Sequence, residues 1–166
     1  YLMHAADVNN LPNFQLLLDY CDVNFKIPKP LSNIPDVVQS KIEELQNQNY
    51  LNALLHIFIY KKNNLQFVRL LINKMSGSDF DVFYQGHTSL HYAIIFSDTD
   101  QNYKPIVFKM IDKGANTNLK TIPGEESVLH LACMCHFPEL IQRLAPKLSV
   151  SDLIETTTYG FNALHL

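Results

Sequence analysis

The chain lacks several features that would place it in a common functional class. It has no tryptophan, and only five glycines and three cysteines among its 166 residues. Three cysteines are an odd number without the spacing of a disulfide framework, which is typical of a reducing compartment. The most apolar run, at 51–60, is much shorter than the roughly 20 residues that a membrane-spanning helix needs. The sequence therefore predicts neither a disulfide-rich secreted domain nor a membrane protein.

The charge balance argues against a nucleic-acid-binding protein. The chain has 13 lysine and arginine residues against 16 aspartate and glutamate residues, for a net charge of −3. The basic residues are scattered and are not interleaved with aromatic residues, so they form no basic stripe. Because 47% of the residues are hydrophobic, the chain is expected to bury a substantial core.

Chemistry-bearing residues cluster at only one place. His130, Cys133, Cys135 and His136 are residue types that bind zinc. On a helix, however, Cys133 and Cys135 would point about 200° apart, given 3.6 residues per turn, and could not share one ion. A nucleophilic cysteine would need an exposed thiol of low pKa and an orienting group. We therefore predict no catalytic residue, metal, cofactor or small-molecule substrate, with a zinc or thiol enzyme as the alternative.

What the sequence does contain is a recurring helix start. At four places a residue with a capping side chain stands two residues before a leucine. Such a side-chain oxygen accepts from the first free amides of a helix, and the leucine begins the apolar stripe. Three of the leucines are followed by histidine. The pairs are Asn52 and Leu54, Thr88 and Leu90, Ser127 and Leu129, and Asn162 and Leu164, and the histidines are His91, His130 and His165.

This pattern resembles the ankyrin repeat. Residues 86–93 read GHTSLHYA, residues 113–118 read KGANTN, and residues 127–132 read SVLHLA. In that family a turn ending in Gly-x-Thr-Pro-Leu-His-x-Ala opens a pair of antiparallel helices, which Gly-Ala-x-x-Asn closes. The resemblance implies an all-α solenoid of stacked helix-turn-helix units. It assigns structural roles to Thr88, Leu90, His91, Gly114, Ser127, Leu129, His130, Asn162, Leu164 and His165.

The resemblance implies one ankyrin-repeat array with an insertion. Its units are expected at about 1–24, 50–82, 86–118 and 125–150, with a partial unit at 159–166 that opens a first helix. Residues 25–49 depart from the repeat and contain a predicted amphipathic helix at 36–47, which is either a solvent-side excursion or a specificity element. The polar segment 97–104 is longer than the family pattern and is expected to protrude. We expect further repeats beyond both ends of this sequence.

The resemblance also implies a binding surface. Stacked repeats present a concave face made by the first helices and the turn tips. The tips here are rich in aromatic and apolar residues, which mark interaction patches, although Phe83 and Phe161 could instead pack on neighbouring tips. The candidates on the first helices could equally belong to the core. The predicted partner-binding residues are Phe83, Tyr84, Gln85, Tyr92, Phe96, Ile122, Leu131, Met134, Tyr159 and Phe161.

The predicted function is therefore protein–protein interaction in the cytoplasm or nucleus. Residues 129–133, which read LHLAC, and the long connection at 148–158 are similar to IκB-type inhibitors and the related NF-κB precursor tails. That subgroup implies masking of a Rel-type transcription factor. The alternative is an ankyrin targeting module of a bacterial or viral effector that recruits a host protein. Neither hypothesis involves direct contact with nucleic acid or a membrane.

Overall fold

Short helices follow one another in pairs along the part of the chain that the structure describes. The computed structural model describes residues 55, 59 and 65–166. The predictions for 1–24, for the insertion at 25–49 and for most of 50–64 lie outside these residues. The regular elements are α1 (Leu65–Lys74), β1 (Phe83–Tyr84), β2 (His87–Thr88), α2 (Ser89–Ser97), α3 (Lys104–Asp112), α4 (Val128–Met134), α5 (Pro138–Leu144) and α6 (Val150–Ile154). The 3-10 turns are Gly77–Phe80, Gln101–Tyr103 and Ala145–Lys147.

The first helix of each pair begins at a capping residue. Thr88 precedes α2, and its hydroxyl accepts a hydrogen bond from the His91 amide at 3.4 Å. Ser127 has the same role before α4, where its hydroxyl accepts from the His130 amide at 3.4 Å. The second helices α3 and α5 have a proline in their first turn, where the missing N–H costs nothing.

Gly114 and Lys113 close the second helix α3. Gly114 has φ +93°, a left-handed conformation that favours glycine at the end of a helix. The Lys113 ammonium donates to the carbonyl oxygens of Asn73 at 2.7 Å and Met75 at 2.8 Å. These are carbonyls at the end of α1, so Lys113 satisfies backbone acceptors of the preceding pair. The end of one pair is thereby tied to the end of the next.

The core is one continuous cluster that runs through the helical pairs and between them. Helix α2 packs on both α3 and α4, α3 packs on α1, and α4 packs on α5. The largest fully buried side chains are Tyr103, Phe67, Phe80, Phe137, Leu55, Ile59 and Leu71. This stack of helical hairpins confirms the predicted all-α architecture. None of the helices in the described residues has the length and hydropathy needed to span a bilayer.

The segment between α2 and α3 is exposed in its middle and buried at Ser97 and Tyr103. Tyr103 is buried, and its hydroxyl donates to the Ile59 carbonyl at 3.4 Å. Burial, with the nearby Asp100 carboxylate, raises the pKa of Tyr103 to about 12. The prediction for 97–104 missed this anchor, because one aromatic residue in a polar segment contacts a partner that is 44 residues earlier in the chain.

The last part of the chain differs from the expected start of a fifth unit. Helix α6 provides the extra helical turn that 152–154 predicted. Residues 163–165, in contrast, form a turn rather than a helix, in which the His165 amide donates to the Asn162 carbonyl at 3.0 Å. Leu164 is 76% exposed, whereas the equivalent Leu90 is 1% exposed.

Candidate functional site

Each first helix is preceded by a hairpin turn, which we call a finger. Finger 1 (83–88) is the antiparallel pair β1 and β2, with Phe83 opposite Thr88. Finger 2 (120–127) is closed by a bridge between Lys120 and Ser127, and finger 3 (156–162) by one between Thr156 and Asn162. In fingers 1 and 2, the capping residues Thr88 and Ser127 therefore end the finger as well as starting a helix. This double role fixes the finger relative to the helix that follows it.

Backbone hydrogen bonds join the three fingers into one edge. The Ile122 amide of finger 2 donates to the Gly86 carbonyl of finger 1 at 2.8 Å. The Thr158 amide of finger 3 donates to the Gly124 carbonyl at 2.9 Å, and the Thr158 hydroxyl donates to the Pro123 carbonyl at 2.6 Å. We call the joined tips of the three fingers the finger edge.

Gly86 is required by this close approach. It has φ +79°, and a Cβ at this position would lie 1.9 Å from the Ile122 carbonyl oxygen. No side chain fits at such a distance, so the two fingers approach each other only because residue 86 is glycine.

The repeated histidines tie each finger to the following unit. The Thr88 amide donates to His91 Nδ1 at 3.1 Å, so His91 Nε2 carries the proton and donates to the Leu119 carbonyl at 3.1 Å. His130 makes the equivalent contact with the Glu155 carbonyl at 3.1 Å. Burial lowers the pKa of His91 to about 4, so this ring is neutral at physiological pH. The geometry fits the structural role that the resemblance implied for both histidines.

The finger edge exposes large apolar side chains. Ile122 on finger 2 is 58% exposed, and Tyr159 and Phe161 on finger 3 are 73% and 51% exposed. Tyr159 follows Thr158, whose amide is bonded to the Gly124 carbonyl, so Tyr159 lies beside the tip of finger 2. Met134, near the end of α4, is 48% exposed. The structure thus places these four candidates where a partner can reach them.

Two predicted surface residues belong to the core. Leu131 is buried among the core side chains of the stack. Tyr92 is also buried; its ring stacks on His87 at 4.9 Å and its hydroxyl donates to the Tyr84 carbonyl at 3.2 Å. Neither side chain is available to a partner, because the face of a helix that packs on a neighbouring unit cannot be identified from one helix alone.

The remaining predicted partner-binding residues are half-buried, except for Gln85. Phe83, Tyr84 and Phe96 are half-buried. The Phe83 ring lies 6.4 Å from the His91 ring, and Phe96 packs on Tyr103 at 5.9 Å, so part of each side chain stabilises the stack. Gln85 is exposed at the tip of finger 1, with φ +48°.

The cysteines are not arranged for thiol or metal chemistry. Burial raises the pKa of Cys133, and burial together with the Asp98 carboxylate raises the pKa of Cys135 to about 11. A thiol with a raised pKa is a poor nucleophile at neutral pH, because the thiolate is the reactive form. In the described part of the chain, no three His, Cys, Asp or Glu side chains come together as a metal site.

One cavity of about 390 Å³ opens between the segment that closes the third unit and the segment that follows α5. Its charged lining residues are Lys120, Lys147, Asp152 and Glu155. Lys120 and Glu155 form an ion pair at 2.6 Å across it. Since the two signs balance, the cavity does not select a charged ligand.

Glu125, which lies on finger 2, was not among the predicted binding residues. Its carboxylate is exposed, and its backbone has φ +56°, which is uncommon for a residue other than glycine. The Pro123-Gly124 dipeptide was the available signal, because it marks a tight turn that must leave the following residue at its tip. Sequence reasoning also missed Val150 and Ile154 on α6, which are 74% and 62% exposed.

Comparison with known proteins agrees with this geometry. The family model for ankyrin repeats, described as three copies, matches residues 2–120, which is more than half of the chain. No curated protein matches the chain significantly. The pair α4 and α5 lies beyond the matched residues but repeats the same capped hairpin. Ankyrin repeats bind other proteins and are typically not enzymes. The chain belongs to the ankyrin-repeat family.

Proposed function

We propose that this chain binds another protein through the finger edge and the adjoining ends of the first helices. The observation that carries the proposal is the exposure of Ile122, Tyr159 and Phe161 on an edge fixed by backbone hydrogen bonds. Because its backbone is already held by hydrogen bonds, the edge loses little backbone conformational entropy on binding, and aromatic residues contribute strongly at interfaces.

We further propose that the chain acts without catalysis in the cytoplasm or nucleus. The raised pKa values of Cys133 and Cys135 support the absence of thiol catalysis. Both cysteines are free, which is usual in a reducing compartment.

Two more specific functions remain as proposals from the sequence. As an IκB-type inhibitor, the chain would mask a Rel-type transcription factor. The support is the segment 145–154, where a 3-10 turn and α6 extend the connection after α5. As the targeting module of an effector, it would recruit a host protein. The family match extends to ankyrin repeats in general and favours neither function.

A capture experiment tests the general proposal. The full chain is immobilised and compared with a triple variant carrying Ile122→Ala, Tyr159→Ala and Phe161→Ala. The matched control carries Val150→Ala and Ile154→Ala, which remove exposed apolar side chains of α6 that lie outside the three fingers. We expect the triple variant to lose its specific partners while the control keeps them.

If the unchanged chain, the triple variant and the control variant all capture the same partners, the binding site lies elsewhere. A purified Rel dimer, tested directly by isothermal titration, distinguishes the specific functions. Nanomolar binding that the triple variant loses supports the inhibitor, and no measurable complex removes it. For the effector hypothesis, capture of one host protein by the chain but not by the triple variant is expected.

A further inference from the structure

The charges of the described units are divided between the two sides of each helical pair. The second helices α1, α3 and α5 together contain five lysine and arginine residues and two aspartate and glutamate residues. The first helices α2 and α4 contain no lysine, arginine, aspartate or glutamate. Within the three fingers, the charged residues are Lys120, Glu125 and Glu126. The finger side of the stack is therefore the acidic side.

The single lysine of the fingers is neutralised. Lys120 donates to the Glu155 carboxylate at 2.6 Å, and both side chains line the cavity described above. Its positive charge is thus already paired. The finger edge consequently offers a partner no unpaired lysine or arginine of its own.

The acidic residues of finger 2 lie beside the exposed apolar side chains. Glu126 accepts a hydrogen bond from the Thr121 hydroxyl, which holds its carboxylate near the base of the finger. Glu125 is three residues from Ile122 on the same turn, and its exposed carboxylate makes no hydrogen bond or ion pair to the rest of the described chain.

We propose that the partner presents an apolar segment flanked by lysine or arginine residues, which contacts Ile122, Tyr159 and Phe161 while its basic residues face Glu125. This inference rests on the proposed function, since it names the chemistry of the partner that the finger edge binds. Electrostatic complementarity of this kind speeds association and excludes partners of the wrong charge. The second helices carry a net positive charge, so they repel the same basic partner from the opposite side of the stack.

The inference can be tested with peptides as probes. A random peptide library displayed on phage is selected against the full chain, and the recovered peptides are synthesised and measured by fluorescence polarisation. We expect peptides that combine aromatic or aliphatic residues with lysine or arginine. Their affinity should fall as salt is raised, because exposed charges are screened over shorter distances.

A charge reversal on each side of the stack gives the matched comparison. The left-handed backbone at position 125 is equally unfavourable for glutamate and lysine, so we expect Glu125→Lys to keep the fold. It should weaken binding of the basic peptides by roughly tenfold, the effect expected when an attraction at an interface becomes a repulsion. Glu139→Lys makes the same change of charge on α5, where Glu139 forms an exposed ion pair with Lys104. This control should change the affinity by less than about twofold.

The outcomes separate the two proposals. If the peptides lose binding to the triple alanine variant but are neutral or acidic, or ignore Glu125→Lys, the charge inference fails and the proposed function stands. If the triple variant binds them as tightly as the unchanged chain, or if no peptide is recovered, the finger edge is not the binding surface and both proposals fail.

Discussion

The third unit and the last residues of the chain begin with the same motif but reach different structures. Thr88 and Asn162 both supply a side-chain oxygen to a following amide, and His91 and His165 both accept from the amide of that capping residue. In the third unit a helix follows. At 163–165 there is only a turn.

The difference lies in what covers the motif. Leu90 is 1% exposed on α2, which packs on α4 of the fourth unit, and His91 donates to the Leu119 carbonyl, one residue before finger 2. Leu164 is 76% exposed, and the described residues provide nothing that covers it. The capping residues are thus a local signal that marks where a helix can begin. The apolar burial that stabilises the helix comes from the neighbouring unit.

The largest expected effect is the loss of stability when the covered leucine is truncated. Leu90→Ala should lower the free energy of unfolding by about 2–5 kcal/mol, because it removes buried methyl groups and leaves a cavity. Leu164→Ala, the matched change at the exposed position, should lower it by less than about 0.5 kcal/mol. Urea denaturation followed by circular dichroism measures both. Equal losses would show that Leu164 is covered in solution and that the contrast between the two sites does not hold.

The next largest effect is the loss of stability at low pH that is caused by the buried His91. The pKa of His91 is about 4 in the folded chain, below its ordinary value of 6.5, so the unfolded chain binds the proton more readily. Stability is therefore fully present above pH 6.5 and is lost as the pH falls towards 4, by an amount that approaches about 3 kcal/mol. Urea midpoints measured between pH 7.5 and 4 test this.

His91→Asn is the control for the pH experiment. It removes the titrating ring, so the drop in stability over this pH range should become smaller. An unchanged drop would assign the pH dependence to other groups.

The smallest of the three effects is the difference in stability loss between alanine substitutions at two glycines with the same backbone conformation. Gly86 and Gly160 both have φ +79°, but a Cβ would meet the Ile122 carbonyl only at Gly86. Gly160→Ala should cost about 1 kcal/mol for the left-handed backbone alone. Gly86→Ala should cost about 2 kcal/mol more, since it also separates two fingers and breaks the bond from the Ile122 amide. Thermal denaturation of the two variants measures the difference, and equal costs would mean that the fingers separate freely.

The parts of the structure that were predictable from the sequence depend on short-range interactions. Thr88, Ser127 and Gly114 could be assigned because a cap or a helix end is set by residues within three or four positions. The extra helical turn at α6 was predictable for the same reason, since Ser149 caps it and Asp152 completes the capping box.

What could not be predicted depends on contacts between distant residues. Tyr103 is buried because its hydroxyl reaches Ile59, and no local pattern distinguishes it from an exposed tyrosine in a polar loop. Tyr92 and Leu131 were assigned to the surface because each helix has two apolar faces, and only the position of the neighbouring unit shows which one is covered. The exposed apolar residues of the fingers were easier to identify, because a hairpin tip has few neighbours.

The hydrogen bonds that join the fingers have a consequence for specificity. They connect the Ile122 amide with the Gly86 carbonyl and the Thr158 amide with the Gly124 carbonyl, so main-chain atoms set the shape of the edge. Substitutions at Ile122, Tyr159 or Phe161 can therefore alter what the edge recognises while its backbone stays the same. The arrangement is suited to acquiring new ligands by exchanging tip side chains on an unchanged framework, in evolution or by engineering.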